Sequence, residues 1–149
     1  FFIEKYMHCK KFDIGQTNGD KNSPLYKDFL PINEQLKNKF IFCLEGKCIS
    51  TNLFWAMSSN SICVMPKPNY ESWFMEGKLK GDYHFIEVDD NFSNAEEKIN
   101  FYINNPEKCL HIISNAHKFV NQFKDEKKEQ LIQLVILNRY LKLSGQNNE

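Results

Sequence analysis

Residues 39–65, with the sequence KFIFCLEGKCISTNLFWAMSSNSICVM, decide the fold of this chain. Phe40–Leu44 is a short apolar run rich in β-forming residues, which predicts a strand. Ile49–Met57 places apolar side chains at helical spacing, and Ser61–Met65 predicts a second strand. A strand, a crossover helix and a second strand form a βαβ unit, whose two strands should be parallel.

The turn between the first strand and the helix is the predicted ligand site. In open α/β sheets, ligands bind at the carboxyl ends of the parallel strands, beside the N-terminus of the following helix. In this chain that place is Glu45–Asn52. Gly46 allows a ligand to approach the backbone, Lys47 can meet a phosphate, and the hydroxyl and amide side chains suit a ribose. Because the turn has neither a dinucleotide-binding motif nor a P-loop, a purely structural turn remains the alternative.

The composition is typical of an ordinary globular domain. The chain has 149 residues, of which 42% are hydrophobic and 26% are charged, so it can bury a core of its own. The 19 basic and 19 acidic residues cancel, and this balance favours neither nucleic acid nor an anionic membrane as a partner. No apolar run approaches the length of a membrane-spanning helix.

The cysteines and histidines predict no metal site. The five cysteines are odd in number and form no CxxC pair, which favours free thiols in a reducing compartment. The histidines are scattered, and His84 is expected to be a structural residue on a strand. Among the aromatic residues, four are expected in the core: Trp55, Trp73, Phe74 and Phe85.

The elements after the βαβ unit follow from caps and periodicity. Asn69 is a candidate N-cap for a short aromatic helix over Tyr70–Met75, and the alternation over Tyr83–Val88 predicts a third strand. Three helices should then form a helical C-terminal tail: one from Ser93 as its cap to Asn104, one over Glu107–Phe123, and one after Asp125. The last of these has a broad apolar face.

The start of the sequence indicates a longer protein. The chain begins at Phe1, without an initiator methionine and inside what resembles a helix. We therefore expect a C-terminal piece, with residues 1–38 serving partly as a linker or inter-domain segment. No internal repeat or low-complexity tract divides the chain, so residues 1–149 are expected to form a single domain.

Several short segments, in chain order, carry a resemblance to one protein family. They are Phe12–Gly15, Lys39–Ile41, Glu45-Gly46, Thr51–Leu53 with Trp55, Ser58–Met65, Tyr70–Phe74, Tyr83-His84 and Ser93–Ile99. Together they resemble the C-terminal half of glycosyltransferase family 90. That family contains capsule-associated and lipopolysaccharide glycosyltransferases and the eukaryotic protein O-glucosyltransferases.

The resemblance implies an α/β fold and a part in sugar transfer. In a GT-B architecture of two Rossmann-like domains, this chain would be the C-terminal, nucleotide-sugar-binding domain, with a short parallel sheet, flanking helices and a helical tail. The reaction would move a sugar from a nucleoside diphosphate sugar, expected to be a UDP-sugar, to a glycan acceptor in bacterial lipopolysaccharide or capsule synthesis. The general base would lie in the N-terminal half of the same protein. Neither a metal nor a further cofactor is expected.

The resemblance also implies which residues bind the donor. They belong to the turn and to the segment after the second strand: Glu45, Gly46, Lys47, Cys48, Ile49, Ser50, Thr51, Asn52, Lys67 and Glu71. The expected location is the cytoplasm, with peripheral association at the inner face of the membrane as an alternative.

Three positions depart from the family pattern. The eukaryotic branch has an arginine where this chain has Asn52, and bacterial members commonly have a lysine where it has Phe54. Cys48 replaces a frequent acidic residue. A diphosphate without its cation would lose charge-assisted hydrogen bonds worth about 1.5–3 kcal/mol each, unless Lys47 or Lys67 substitutes. The alternative hypothesis is therefore a non-catalytic or degenerate fragment that acts as an interaction module.

Overall fold

The sheet consists of three parallel strands in the order β1-β2-β3. The computed structural model describes residues 2–146. Its strands are β1 Phe40–Phe42, β2 Ile62–Met65 and β3 Ile86–Glu87. Ile41 is paired with Cys63, and Val64 with Ile86. The predicted α/β class and the parallel βαβ unit are thus confirmed.

Helices precede, connect and follow the strands. Within residues 2–146 they are α1 Phe2–Tyr6, α2 Ile32–Gln35, α3 Leu53–Met57, α4 Ala95–Ile103, α5 Pro106–Asn121 and α6 Glu126–Leu143, with a short 3₁₀-helix at Glu76–Lys78. Pro106 occupies the first turn of α5, where its missing N–H costs no hydrogen bond. The Asp125 side chain caps α6 by accepting the N–H of Lys128 at 3.1 Å. The three predicted tail helices are therefore present.

The sheet is covered on both faces, which is why every residue of β2 is apolar and buried. Successive side chains of a strand point to opposite faces. Cys63 and Met65 belong to a core shared with α3 and α5, whereas Ile62 and Val64 belong to a core shared with α1 and α4. The turn after β1 therefore starts from a strand that is paired with the buried strand β2.

The crossover helix is shorter than its apolar spacing predicts. It begins at Leu53 and not at Ile49. The Asn52 side-chain amide donates to the Phe42 carbonyl at 2.9 Å, and the Ser50 hydroxyl donates to the Asn52 side-chain oxygen at 2.5 Å. These side-chain bonds hold residues 49–52 as a turn against the end of β1, so the helix starts only after them.

The predicted aromatic helix over Tyr70–Met75 is wrong. The amide side chain of Asn69 donates to Glu45 and does not cap a helix, and the backbone N–H groups of Asn69 and Tyr70 donate to the same carboxylate. The segment leads through Met75, which has a left-handed backbone with φ 56°, into the 3₁₀-helix. The Glu45 carboxylate, which is distant in sequence, therefore accepts the backbone N–H groups that would be unbonded at the start of a helix here.

Several other boundaries differ from the prediction, and two of them have a clear hydrogen-bonding cause. Only Ile86–Glu87 of the predicted third strand pairs with β2, because the preceding residues form a turn in which the Asp82 N–H donates to the Phe85 carbonyl. Ser93 does not cap α4, since its hydroxyl donates to the Asp89 carboxylate.

Within residues 2–146, the apolar face predicted for the last helix joins no core. None of the residues of α6 is buried, and its exposed large apolar side chains include Leu131, Leu134, Val135 and Leu137. The helix periodicity is confirmed, but its packing onto the described part of the chain is not.

Candidate functional site

The predicted site is built around the carboxylate of Glu45. Glu45 follows the end of β1, and it accepts the N–H of Asn69 at 3.0 Å and that of Tyr70 at 3.3 Å. The amide side chain of Asn69 adds a third bond at 3.2 Å. Hydrogen bonds to an ionised acceptor are stronger than neutral ones. Glu45 therefore ties the turn after β1 to the segment after β2, and both lie at the carboxyl end of the sheet.

Two predicted ligand-binding side chains are used inside the protein. Ser50 is buried, and its hydroxyl donates to Asn52. The Asn52 amide in turn donates to the carbonyl of Phe42. Both side chains shape the turn, and the Ser50 hydroxyl has no further proton to donate to a ligand in this conformation.

The remaining turn residues face solvent. Gly46, Lys47, Cys48 and Thr51 are exposed, and Ile49 is half-buried. A methyl group added to Gly46 would meet no atom within 4 Å. Among the described residues, Lys47 forms no salt bridge. The turn thus offers an open backbone and an uncommitted cation.

The segment after β2 supplies the other two predicted residues. Lys67 is exposed and, within residues 2–146, pairs with no carboxylate. Glu71 is also exposed, and one of its carboxylate oxygens lies 3.3 Å from the place that a Cβ on Gly77 would take. Through Glu45, the structure brings this segment beside the turn, as the site prediction requires.

One aromatic residue lies where the sequence pattern does not place it. Phe74 and Phe85 are buried and Trp55 packs against the same core, as predicted. Trp73, in contrast, is 60% exposed, so its expected core position is wrong. Its ring packs against Phe54, which is also exposed. A pattern of aromatic residues alone carries no signal that separates the exposed ring from the buried ones.

Two titratable side chains near the sheet, Cys43 and His84, have pKa values shifted in favour of their neutral forms. Burial, and then the neighbouring Cys63, raise the pKa of the Cys43 thiol well above its ordinary value. Burial, followed by the nearby Lys80, lowers the pKa of His84, whose Nδ1 accepts the Lys80 N–H at 3.0 Å. His84 is therefore a hydrogen-bonded structural histidine, as expected.

A second cleft lies at the opposite, amino-terminal side of β3. It has a volume of about 710 Å³ between α4, α5 and the turn before β3. Asp82 accepts from Lys98 at 2.6 Å and from the Tyr102 hydroxyl at 3.1 Å within it. Burial and the Asp82 charge raise the pKa of Tyr102. Asp82 thus neutralises Lys98 within this cleft.

Within residues 2–146, no cluster of three or more histidine, cysteine or acidic side chains is arranged to hold a metal ion. In the same part of the chain, no helix combines the length and apolar content needed to cross a membrane.

Comparison with known proteins relates nearly the whole chain to one protein family. The family model described as "Glycosyl transferase family 90" matches residues 6–148. The O-glucosyltransferase LpsA of Dichelobacter nodosus is 35% identical over 143 residues, which is 95% of this chain and 45% of that protein. The uncharacterized protein 179R of Invertebrate iridescent virus 6 is 30% identical over 127 residues, 80% of this chain and 10% of that protein. The chain thus spans less than half the length of either relative. No solved structure matches.

Proposed function

The chain belongs to glycosyltransferase family 90, and from this premise we propose that it forms the donor-binding part of a sugar transferase. The donor is a nucleoside diphosphate sugar, taken to be a UDP-sugar, and the acceptor is a hydroxyl of a lipopolysaccharide or capsule glycan. The name of the relative LpsA refers to O-glucosyl transfer, so glucose is the first sugar to test.

The observation that supports this proposal most strongly is that Glu45 links two loops by hydrogen bonds. The turn after β1 and the segment after β2 meet at the carboxyl ends of adjacent parallel strands, which is where open α/β sheets bind ligands. Lys47 and Lys67 are exposed there. A diphosphate between the two loops would accept hydrogen bonds from the two ammonium groups. These lysines would substitute for the basic residues that other family members have at the positions of Asn52 and Phe54.

The proposed donor contacts divide into two groups. The turn supplies Gly46–Thr51, with the backbone and Lys47 towards the phosphates. The second segment supplies Lys67 and Glu71, whose carboxylate suits the hydroxyls of a ribose or a sugar. Glu45 and Asn52 support these groups from within the loops. The two lysines would offset part of the charge of the leaving diphosphate.

The proposed architecture is a GT-B enzyme whose C-terminal, Rossmann-like domain is this chain, with residues 1–38 partly a linker. The general base that activates the acceptor hydroxyl would be in the N-terminal half. Stabilisation of the leaving diphosphate would be the contribution of this domain. We place the reaction in the cytoplasm or at the inner face of the membrane.

Calorimetric titration with UDP-glucose tests the proposed donor site. Removing either cation, in Lys47→Ala or Lys67→Ala, should weaken binding by about tenfold, the effect of about 1.4 kcal/mol of lost charge-assisted hydrogen bonding. Lys10→Ala, which removes an exposed lysine outside the site, is the matched control. Equal affinity in all four proteins would exclude this pair of loops as the diphosphate site.

The second candidate function is a non-catalytic interaction module. The internal bonds of Asn52 favour it, because this side chain cannot replace the missing cation. Joining the chain to the sequence encoded upstream of it distinguishes the two candidates. Sugar transfer from a nucleotide donor by the joined protein would support the enzyme, and its absence with every donor would support the module.

A further inference from the structure

Trp73 and Phe54 form an exposed aromatic surface, which we name the Trp73 ledge. Trp73 is 60% exposed and Phe54 is 37% exposed, and their ring centroids are 5.3 Å apart. Tryptophan is usually largely buried, since its apolar area is large. The fold buries the neighbouring Phe74 but leaves the indole of Trp73 in water. This unusual exposure requires an explanation.

The ledge is held rigidly from behind. The Trp73 ring centroid lies 5.7 Å from that of Phe74, which is buried, and 5.6 Å from that of Phe123. Phe54 also meets Phe74, at 5.4 Å. Because the supporting ring belongs to the core, the exposed indole is fixed in place before any ligand arrives, which lowers the entropic cost of binding.

The backbone beneath the ledge is held at an energetic cost. Glu76 is only 2% exposed, and its carboxylate accepts the Ser72 N–H at 2.6 Å and the Ser72 hydroxyl at 2.7 Å. Met75 has a left-handed backbone, with φ 56°. A buried carboxylate and a non-glycine residue at positive φ are both unfavourable unless the surroundings enforce them. Together they keep the 72–76 turn in the conformation that leaves Trp73 outside the core.

The ledge adjoins the two loops of the proposed donor site. Trp73 follows three residues after Tyr70, whose N–H is bound by Glu45. Phe54 lies in the first turn of α3, two residues after Asn52. The exposed carboxylate of Glu71 lies against Gly77, on the same short segment. Glu71 thus supplies an exposed acidic hydrogen-bond acceptor two residues before Trp73 in the chain.

We propose that the Trp73 ledge binds the apolar face of a sugar ring, an inference that rests on the proposed function. A hexose presents C–H groups on one face and hydroxyls around its rim. The indole would stack on the C–H face, while the Glu71 carboxylate would accept a rim hydroxyl. The same chemistry belongs to the sugar of the donor and to the sugar of the acceptor. Glu76 is a positioning residue of this subsite and touches no ligand.

NMR of the two tryptophan indole N–H signals tests the ledge. The chain contains only Trp55 and Trp73, and Trp55→Phe and Trp73→Phe assign the two signals. UDP-glucose should shift the Trp73 signal more than UDP does if the donor sugar stacks there. Methyl glucoside, added after saturation with UDP, should shift it if the acceptor sugar stacks there. Either result supports the ledge, and a Trp73 signal that no saccharide moves would overturn it.

Affinity gives the second readout. Trp73→Ala should weaken saccharide binding by about tenfold, as expected for one lost aromatic contact of about 1.4 kcal/mol, whereas Trp73→Phe should retain most of it. UDP affinity should stay unchanged in both. Tyr83→Ala, which removes a half-exposed ring at the other cleft, is the control. Equal saccharide affinity in Trp73→Ala and the unchanged protein would also overturn the ledge.

The two proposals can fail separately. If UDP moves the amides of Gly46–Asn52 while no saccharide moves Trp73, the donor site stands and the ledge is wrong. If saccharides move Trp73 while UDP moves no residue of the turn, the ledge stands and the nucleotide site is wrong.

Discussion

At the scale of single residues, Glu45 joins two loops that are separate in sequence. Its carboxylate accepts the backbone N–H groups of Asn69 and Tyr70. Glu45→Ala should lower the free energy of unfolding by about 1–2 kcal/mol, because these two N–H groups and the Asn69 side-chain amide lose a charged acceptor but remain within reach of water. Urea unfolding measures this. Lys11→Ala, which breaks the exposed ion pair with Glu96, should cost only about 0–1 kcal/mol. Equal losses in the two variants would contradict a joining role for Glu45.

A substitution at Gly46 distinguishes the hypothesis that the turn binds a ligand from the hypothesis that the turn is purely structural. An alanine there would meet no atom within 4 Å, and its backbone is outside the left-handed region, so Gly46→Ala should leave the melting temperature unchanged or slightly higher. If a ligand approaches this backbone, the same methyl group should weaken UDP-glucose binding at least fivefold, about 1 kcal/mol. Unfolding and calorimetry on one variant measure both effects. Unchanged affinity would place the ligand elsewhere.

His84 should make stability depend on pH. Burial, and then Lys80, lower its pKa from the ordinary value of 6.5, and its Nδ1 accepts a backbone N–H. The unfolded chain therefore binds a proton at a higher pH than the folded chain. The stability that neutral His84 contributes is complete above the unfolded pKa and is lost as pH falls from there through the folded pKa. In urea unfolding at a series of pH values, His84→Gln should have a smaller slope over this range. An unchanged slope would contradict this.

The residues also show where sequence reasoning reaches its limit. The turn at 45–52 was predicted at the correct end of β1, because local apolar runs and the glycine determine its place. The roles of Glu45 and Asn52 were not predicted, since their hydrogen-bond partners are 24 and 10 residues away. Trp73 is misplaced by the pattern for a different reason. Its exposure depends on the buried Glu76–Ser72 bonds and not on any periodic pattern.

At the scale of elements, α6 is a helix without a partner surface in the described chain. No residue of it is buried, so a chain that ends at Lys124 should unfold with a free energy within about 1 kcal/mol of the full chain. By contrast, Val120→Ala in α5, where the side chain is fully buried, should cost about 2 kcal/mol or more. Urea unfolding compares the two. A truncated chain that is much less stable would show that α6 packs against the domain.

The contrast between α5 and α6 explains what periodicity can predict. Both helices were predicted from apolar spacing, and both exist. Only α5 buries its stripe, through Ile112, Ala116 and Val120. Spacing indicates that a helix forms, but whether its apolar residues meet a core depends on surfaces that the pattern does not contain.

At the scale of the whole molecule, a short parallel sheet supports both loops of the site. β2 is buried on both faces and pairs with β1 and β3, so the ends of β1 and β2 are fixed relative to each other. This rigid base is what allows Glu45 to hold a defined gap between the loops. The α/β class and the parallel order were predictable, because continuous apolar runs of strand length separated by a helix have few other solutions.

The most direct test of donor binding is an NMR titration of the isotope-labelled chain with UDP-glucose, followed through the backbone amides. We expect shifts that cluster at Gly46–Asn52 and near Lys67 and Glu71, and that saturate. No shifts at millimolar ligand, or shifts confined to the cleft around Lys98 and Lys108, would contradict it.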